Sequence, residues 1–180
     1  MQLTPVMEKF ILHWGEMGTR WGVNRTVAQI HALLYLASRP LPADEIAETL
    51  SVARSNVSTS LKELQSWKLV KVSHVLGDRR DHFTALDDTW EMLLTIMEQR
   101  KRREIEPTLT VLRQCVLEMD EDRDTPKEAQ ARIRDMLGFL TRLTSWFDQV
   151  VQLPKGTLVA LMKLGAKIGS FVPTGAKKEP

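Results

Sequence analysis

The chain has 180 residues, 43% of them hydrophobic, with a formal net charge of +2. It is globular, long enough for one compact domain or a small domain extended by helices, and its near-neutral total excludes reading nucleic-acid binding from net charge alone. The lone cysteine, Cys115, excludes an intramolecular disulfide and a Cys-pair metal site. Reduced thiol chemistry suits the cytoplasm, no signal-type amino terminus is visible, and no run approaches the roughly 18 to 20 apolar residues that span a bilayer. A soluble, cytoplasmic protein without membrane partners is expected.

Between Pro5 and Gly18, apolar Val6, Met7, Phe10, Ile11, Trp14 and Met17 recur at three- and four-residue steps. That spacing predicts an amphipathic helix with Pro5 in its first turn. Asn24 is placed to cap a second helix through Val27, Ile30, Leu33, Leu34 and Ala37, which Pro40 and Pro42 stop, marking a turn. "ADEIAETL" then predicts a short acidic helix with Ile46, Ala47 and Leu50 inward, and the three residues "SVA" lead to "RSNVSTSLKELQSW".

After Trp67 the pattern alternates. Leu69 to Val75, a turn at "LGDR" and Arg80 to Leu86 predict a hairpin. Asp87 or Asp88 caps the next helix, which carries Trp90, Leu93, Leu94, Ile96 and Met97, the basic cluster "RKRRE" (Arg100 to Glu104), then Leu109, Leu112, Cys115 and Leu117; Pro107 is expected to kink or divide it. "DEDRDTP" is a polar break with Thr125 as a cap. Ile133, Leu137, Leu140, Leu143, Phe147 and Val150 form another stripe ended by Pro154, and Leu158, Leu161, Met162, Leu164 and Ile168 suggest a last helix. The reading is four helices, a two-stranded hairpin and three more helices, with residues 173–180 disordered.

Two short helices joined by a tight turn and closed by a hairpin make a winged helix-turn-helix. The fold class is therefore mainly α: a three-helix core plus a β-hairpin wing, with long N- and C-terminal helices. Ile46, Leu50, Val52, Val57, Leu61 and Leu64 would bury the inner faces of the helix pair against the helix containing Ile30. The outer face presents Arg54, Ser55, Asn56, Ser58, Thr59 and Lys62, groups that donate to phosphates or read base edges in a major groove about 12 Å wide. From Arg54 to Arg80, six basic residues face two acidic ones, a local +4, while Asp44, Glu45 and Glu48 on the preceding helix make the module polarised rather than basic. At the wing tip Gly77 permits the turn, and Arg79 or Arg80 reaches DNA or pairs with Asp78 or Asp81.

"LPADEIAETLSVARSNVSTSLKELQSWKLVKVSHVLGDRRDHFTA" (Leu41 to Ala85) resembles the winged helix of MarR-type transcriptional regulators, and "SNVSTSLKELQSWKLV…GDRRDHF" resembles their GbsR branch. The resemblance implies a homodimer on double-stranded, pseudopalindromic operator DNA, usually a repressor, dimerising through residues 1–23 and 87–172 around a DNA-binding domain at 24–86. For the GbsR branch it implies control of compatible-solute genes, with choline or a similar quaternary ammonium as small-molecule effector. Two departures stand out. Ala53 occupies a position where such proteins often have a capping serine, and Ser51 replaces a glycine common in the turn.

Blander readings compete at several positions. "RKRRE" is either a solvated face or a phosphate contact, and Cys115 is core or a redox sensor. Trp14, Trp21, Trp90 and Trp146 are core residues or the aromatic lining of an effector pocket, since aromatic faces attract quaternary ammonium groups. His13, His31, His74 and His82 lack metal spacing and are assigned to hydrogen bonding at the surface or in the core. A winged helix that binds a protein partner instead of DNA is the alternative class. No cofactor, metal site or enzyme motif is recognised.

Overall fold

The computed structural model describes residues 1–119, 122 and 124–171, with side chains to residue 164. The expected tail at 173–180, parts of "DEDRDTP" and the side chain of Ile168 lie outside the described residues. The protein is mainly helical, with a small antiparallel sheet, and divides into two compact units, Met1–Gln99 and the residues from Arg100 onward.

In the first unit, helix α1 (Pro5–Arg20) starts with Pro5 at its first position and Thr4 as N-cap, the Thr4 hydroxyl accepting from the Met7 amide at 3.3 Å. It packs on α2 (Arg25–Leu36) through a close approach that two glycines make room for. A Cβ on Gly18 would sit 2.5 Å from the Cβ of Ala28. Asn24 caps α2, accepting from the Thr26 amide at 2.8 Å. Because α2 carries apolar residues on several faces, Val27, Ile30, Leu33 and Leu34 are all buried and α2 becomes the central post of the core.

The segment expected to be only a boundary turn is also a strand. Leu41–Pro42 form β1, buried, and pair with β3 (Asp81–Ala85), which pairs in turn with β2 (Val70–His74), in the order β1-β3-β2. Two residues are too few for an alternating pattern, and proline at a sheet edge hides the signal further. The two wing strands are shorter than their alternation suggested. Helices α3 (Ala43–Leu50) and α4 (Arg54–Ser66) follow β1, separated by the three-residue turn at Ser51 to Ala53. Ile46, Val57, Leu61 and Leu64 are buried against the α2 core, while Leu50, Val52, Ala47 and Trp67 pack at its edge. Asp88, not Asp87, caps α5 (Thr89–Arg100), its carboxylate accepting from the amides of Trp90 and Glu91 at 2.7 and 3.0 Å.

The second unit begins with a π-helical turn (Lys101–Ile105), followed by α6 (Glu106–Glu118), α7 (Lys127–Val151) and α8 (Lys155–Phe171). The irregularity falls in the basic cluster immediately before Pro107, the turn whose carbonyl a proline ring crowds. Pro107 is the second residue of α6, but Ile105 and Glu106 before it are already right-handed helical, so the proline lies inside a continuous helical run and removes one backbone donor from it. Thr125 does not cap α7; its hydroxyl bonds the Asp122 carboxylate, and Pro126 holds the cap position without a side-chain bond. Helices α6 and α7 pack together, and the Lys101 ammonium on the π turn pairs with Asp148 on α7. Leu109, Met119 and Leu158 are buried, yet Val111, Leu117, Met136, Phe139 and Trp146 stand more than half exposed.

Candidate nucleic-acid interface

Helix α4 is held down by Val57, Ser60, Leu61 and Leu64, leaving Arg54, Ser55, Asn56, Thr59 and Lys62 exposed and Ser58 half-buried. Ser60 is the one hydroxyl of the polar run that faces inward. The face contains no large apolar side chain. The helix starts at Arg54 with Ala53 as its N-cap, φ −61° and ψ 139°, and no side chain caps it. A methyl group has no acceptor to offer the first-turn amides. Ser51 takes the left-handed conformation, φ 53° and ψ 42°, closing α3, so this non-glycine residue carries the backbone geometry of the turn.

A cleft of about 290 Å³ opens between α3, α4 and the wing, and Arg54, Ser58, Lys62 and Arg80 meet around it with Asp44. Ser55, Asn56 and Thr59 are exposed elsewhere on α4, and Arg79 is exposed at the wing turn.

The two wing arginines differ. Arg80 grips Asp78, donating from Nε to both carboxylate oxygens at 3.0 and 3.1 Å and from Nη2 at 2.6 Å, and the Arg80 amide adds a bond at 3.0 Å. These hydrogen bonds hold the Asp78 carboxyl well below the usual carboxylate range. His82, buried on β3, donates from Nδ1–H to the Arg80 carbonyl at 2.9 Å. Gly77, at φ +84°, turns the hairpin. Arg79 has no ion-pair partner among the described residues. Pairing with Asp78 therefore falls to Arg80, leaving Arg79 exposed at the wing turn.

Arg54 is also engaged. Its Nε donates to Asp44 of α3, and its Nη1 to the Ser58 hydroxyl at 2.8 Å. Sequence reasoning placed Arg54 and Ser58 on the readout face and counted Asp44 only among the acidic charges of the preceding helix. The available signal was only an acidic residue in the first turn of α3, ten residues before Arg54.

The tryptophans are spread over both units. Trp14 is half-buried on α1, stacked on Phe10 with centroids 5.4 Å apart and tilted over His31 at 6.3 Å. Trp21 closes α1 and is 47% exposed. Trp90 on α5 is half-buried with its indole N–H unpaired, and Trp146 on α7 is 60% exposed. His31 sits in the core, as expected of a core histidine, with its Nε2 unpaired. Burial lowers its pKa to about 4 and keeps the ring neutral. Among the described residues, no helix is long and apolar enough to cross a membrane.

The sequence model of the MarR family matches residues 21–81, the segment from the end of α1 into the first residue of β3. The HTH-type transcriptional repressor GbsR of Bacillus subtilis (strain 168) is 22% identical over 139 residues, covering 73% of this chain and 76% of that protein. A crystal structure of a transcriptional regulator superposes with a TM-score of 0.62 at 18% identity, covering 81% of this chain and 95% of its own. The likeness extends beyond the winged helix to most of the chain.

Proposed function

We propose that the chain, whose residues 21–81 match the MarR family model, is a cytoplasmic, homodimeric, sequence-specific DNA-binding transcriptional repressor. The observation that supports this best is the α4 face: five polar side chains exposed on a helix anchored by Val57, Leu61 and Leu64, beside a wing whose tip offers Arg79. In this reading each protomer places α4 in one major groove, with half-sites about 34 to 36 Å apart. Asn56 suits adenine and Arg54 guanine in bidentate geometry, while Lys62 and Arg79 position the protein on phosphates. Arg80 contributes through Asp78, by stiffening the wing.

The exposed apolar residues of α1, Val6 and Leu12, and those of α6 and α7 supply surface for a second copy. Regulation is a population shift: an effector that prefers a dimer with mis-spaced α4 helices withdraws it from DNA. Compatible-solute genes are the proposed targets and a quaternary ammonium the effector, bound by some of Trp14, Trp21, Trp90 and Trp146. Unchanged tryptophan fluorescence and operator affinity on titration with choline and betaine would refute that solute-sensing part.

A filter-binding titration on duplex DNA separates the repressor from a protein-binding winged helix. Affinity is expected to fall with salt at a log–log slope of roughly −0.9 for each phosphate engaged. A protein with no salt-dependent DNA affinity is a protein-interaction module instead.

A further inference from the structure

The strongest unassigned arrangement on the interface is the contact between α3 and the first residue of α4. Asp44 and Arg54 are 51% and 53% exposed, so neither is needed to fill the core. Their pairing nonetheless fixes a long side chain at the start of the recognition helix. Two bonds restrain the guanidinium from different sides: Nε to Asp44, and Nη1 to the Ser58 hydroxyl at 2.8 Å. Of its five N–H donors, those two are used, which leaves both hydrogens of Nη2 and one of Nη1, enough for a bidentate pair. Asp44 also lies close enough to the wing for its charge to act on Arg80, and it lines the same cleft as Arg54, Lys62 and Arg80. A carboxylate among three cations on a surface meant for a polyanion weakens non-specific attraction, so its presence there calls for a compensating role.

Building on the DNA-binding reading above, we propose that Asp44 is a positioning residue that sets base specificity through Arg54. It holds the guanidinium in a fixed plane for one guanine, and it cancels the charge Arg54 would otherwise spend on any nearby phosphate. Asp44 thus exchanges general affinity for discrimination. A carboxylate that pre-orders an arginine lowers the ordering cost at the correct base and imposes repulsion when that base is absent.

The test uses the full-length chain as wild type, Asp44→Asn, Arg54→Ala and the double variant. The probes are a duplex selected from a randomised pool by the wild type, its versions with each guanine replaced in turn, and the unselected pool. The guanine read by Arg54 is the one at which Arg54→Ala loses discrimination. At that position Asp44→Asn is expected to lower discrimination about five-fold or more. The same variant binds the unselected pool more tightly, with a salt slope steeper by about 0.9, one added phosphate contact. In the Arg54→Ala background, Asp44→Asn changes discrimination no further.

Wild-type discrimination and slope in Asp44→Asn overturn the proposal while leaving DNA binding intact. So does a variant that loses thermal stability with discrimination unchanged, which marks a structural contact only. A wild type without salt-dependent DNA affinity overturns the DNA-binding reading itself, and Asp44's role with it.

Discussion

In the first unit Ile30, Leu33, Leu41, Ile46, Val57, Leu61 and Leu64 are each at most 2% exposed, whereas from Arg100 onward Val111, Leu117, Met136, Phe139 and Trp146 are 52 to 66% exposed. The winged helix closes its own core: α2 is buried along most of its length, and α1, α3, α4 and the sheet each cover part of it. The second unit pairs α6 with α7 and leaves apolar side chains uncovered. Helices of that kind are stable in water when a partner completes them. The first unit is not wholly covered either, since Val6 and Leu12 on α1 are exposed. In the proposed reading these and the uncovered residues of α6 and α7 form the assembly surface, while the buried core carries the DNA-reading helix.

The largest effect should come from breaking the self-sufficient core. Leu33→Ala removes a fully buried side chain and is expected to destabilise the winged helix by about 2 to 5 kcal/mol, read by chemical denaturation. Next is pH. The folded state keeps His31 neutral down to about pH 4, while the unfolded chain takes up the proton near the ordinary value of 6.5. The unfolded state therefore binds more protons between those values, and stability falls as pH drops through that window, by about 3 kcal/mol. His31→Gln should flatten the slope of unfolding free energy across this range without removing the rest of the acid response.

The assembly surface is probed by Phe139→Asp on α7. It is expected to shift the protein from dimer to monomer in analytical ultracentrifugation, at a cost of about 2 kcal/mol or more if the residue lies central to the interface. The winged helix should keep its unfolding transition, since the substitution lies in the other unit. The smallest effect is at the turn. Ser51→Gly relieves a left-handed non-glycine residue and should stabilise the protein by about 1 kcal/mol, visible as a small rise in melting temperature.

The helices were readable because amphipathic periodicity and caps agree, as at Pro5 and Asn24, and because "ADEIAETL" and the following helix are separated by a turn of fixed length. The wing was readable from alternation and Gly77. What escaped was non-local. The strand at Leu41–Pro42 exists only because β3 returns to it, and the Asp44–Arg54 bond depends on how α3 and α4 cross, not on either helix alone. Pro107 signalled an irregularity in the long helix, but not that it would take the form of a π turn in the five residues before Glu106. In the site, periodicity separated the α4 face from its buried side but could not say which arginine of the wing would take Asp78.

Selection of bound duplexes from a randomised pool by the purified full-length protein tests the central proposal most directly. A dimer reading DNA through α4 should enrich a pseudopalindrome whose half-sites are centred about 10 to 10.5 base pairs apart, or a multiple of that spacing. Recovery of no common sequence, or of a single asymmetric site bound equally well by a variant lacking Asn56 and Arg54, would contradict it.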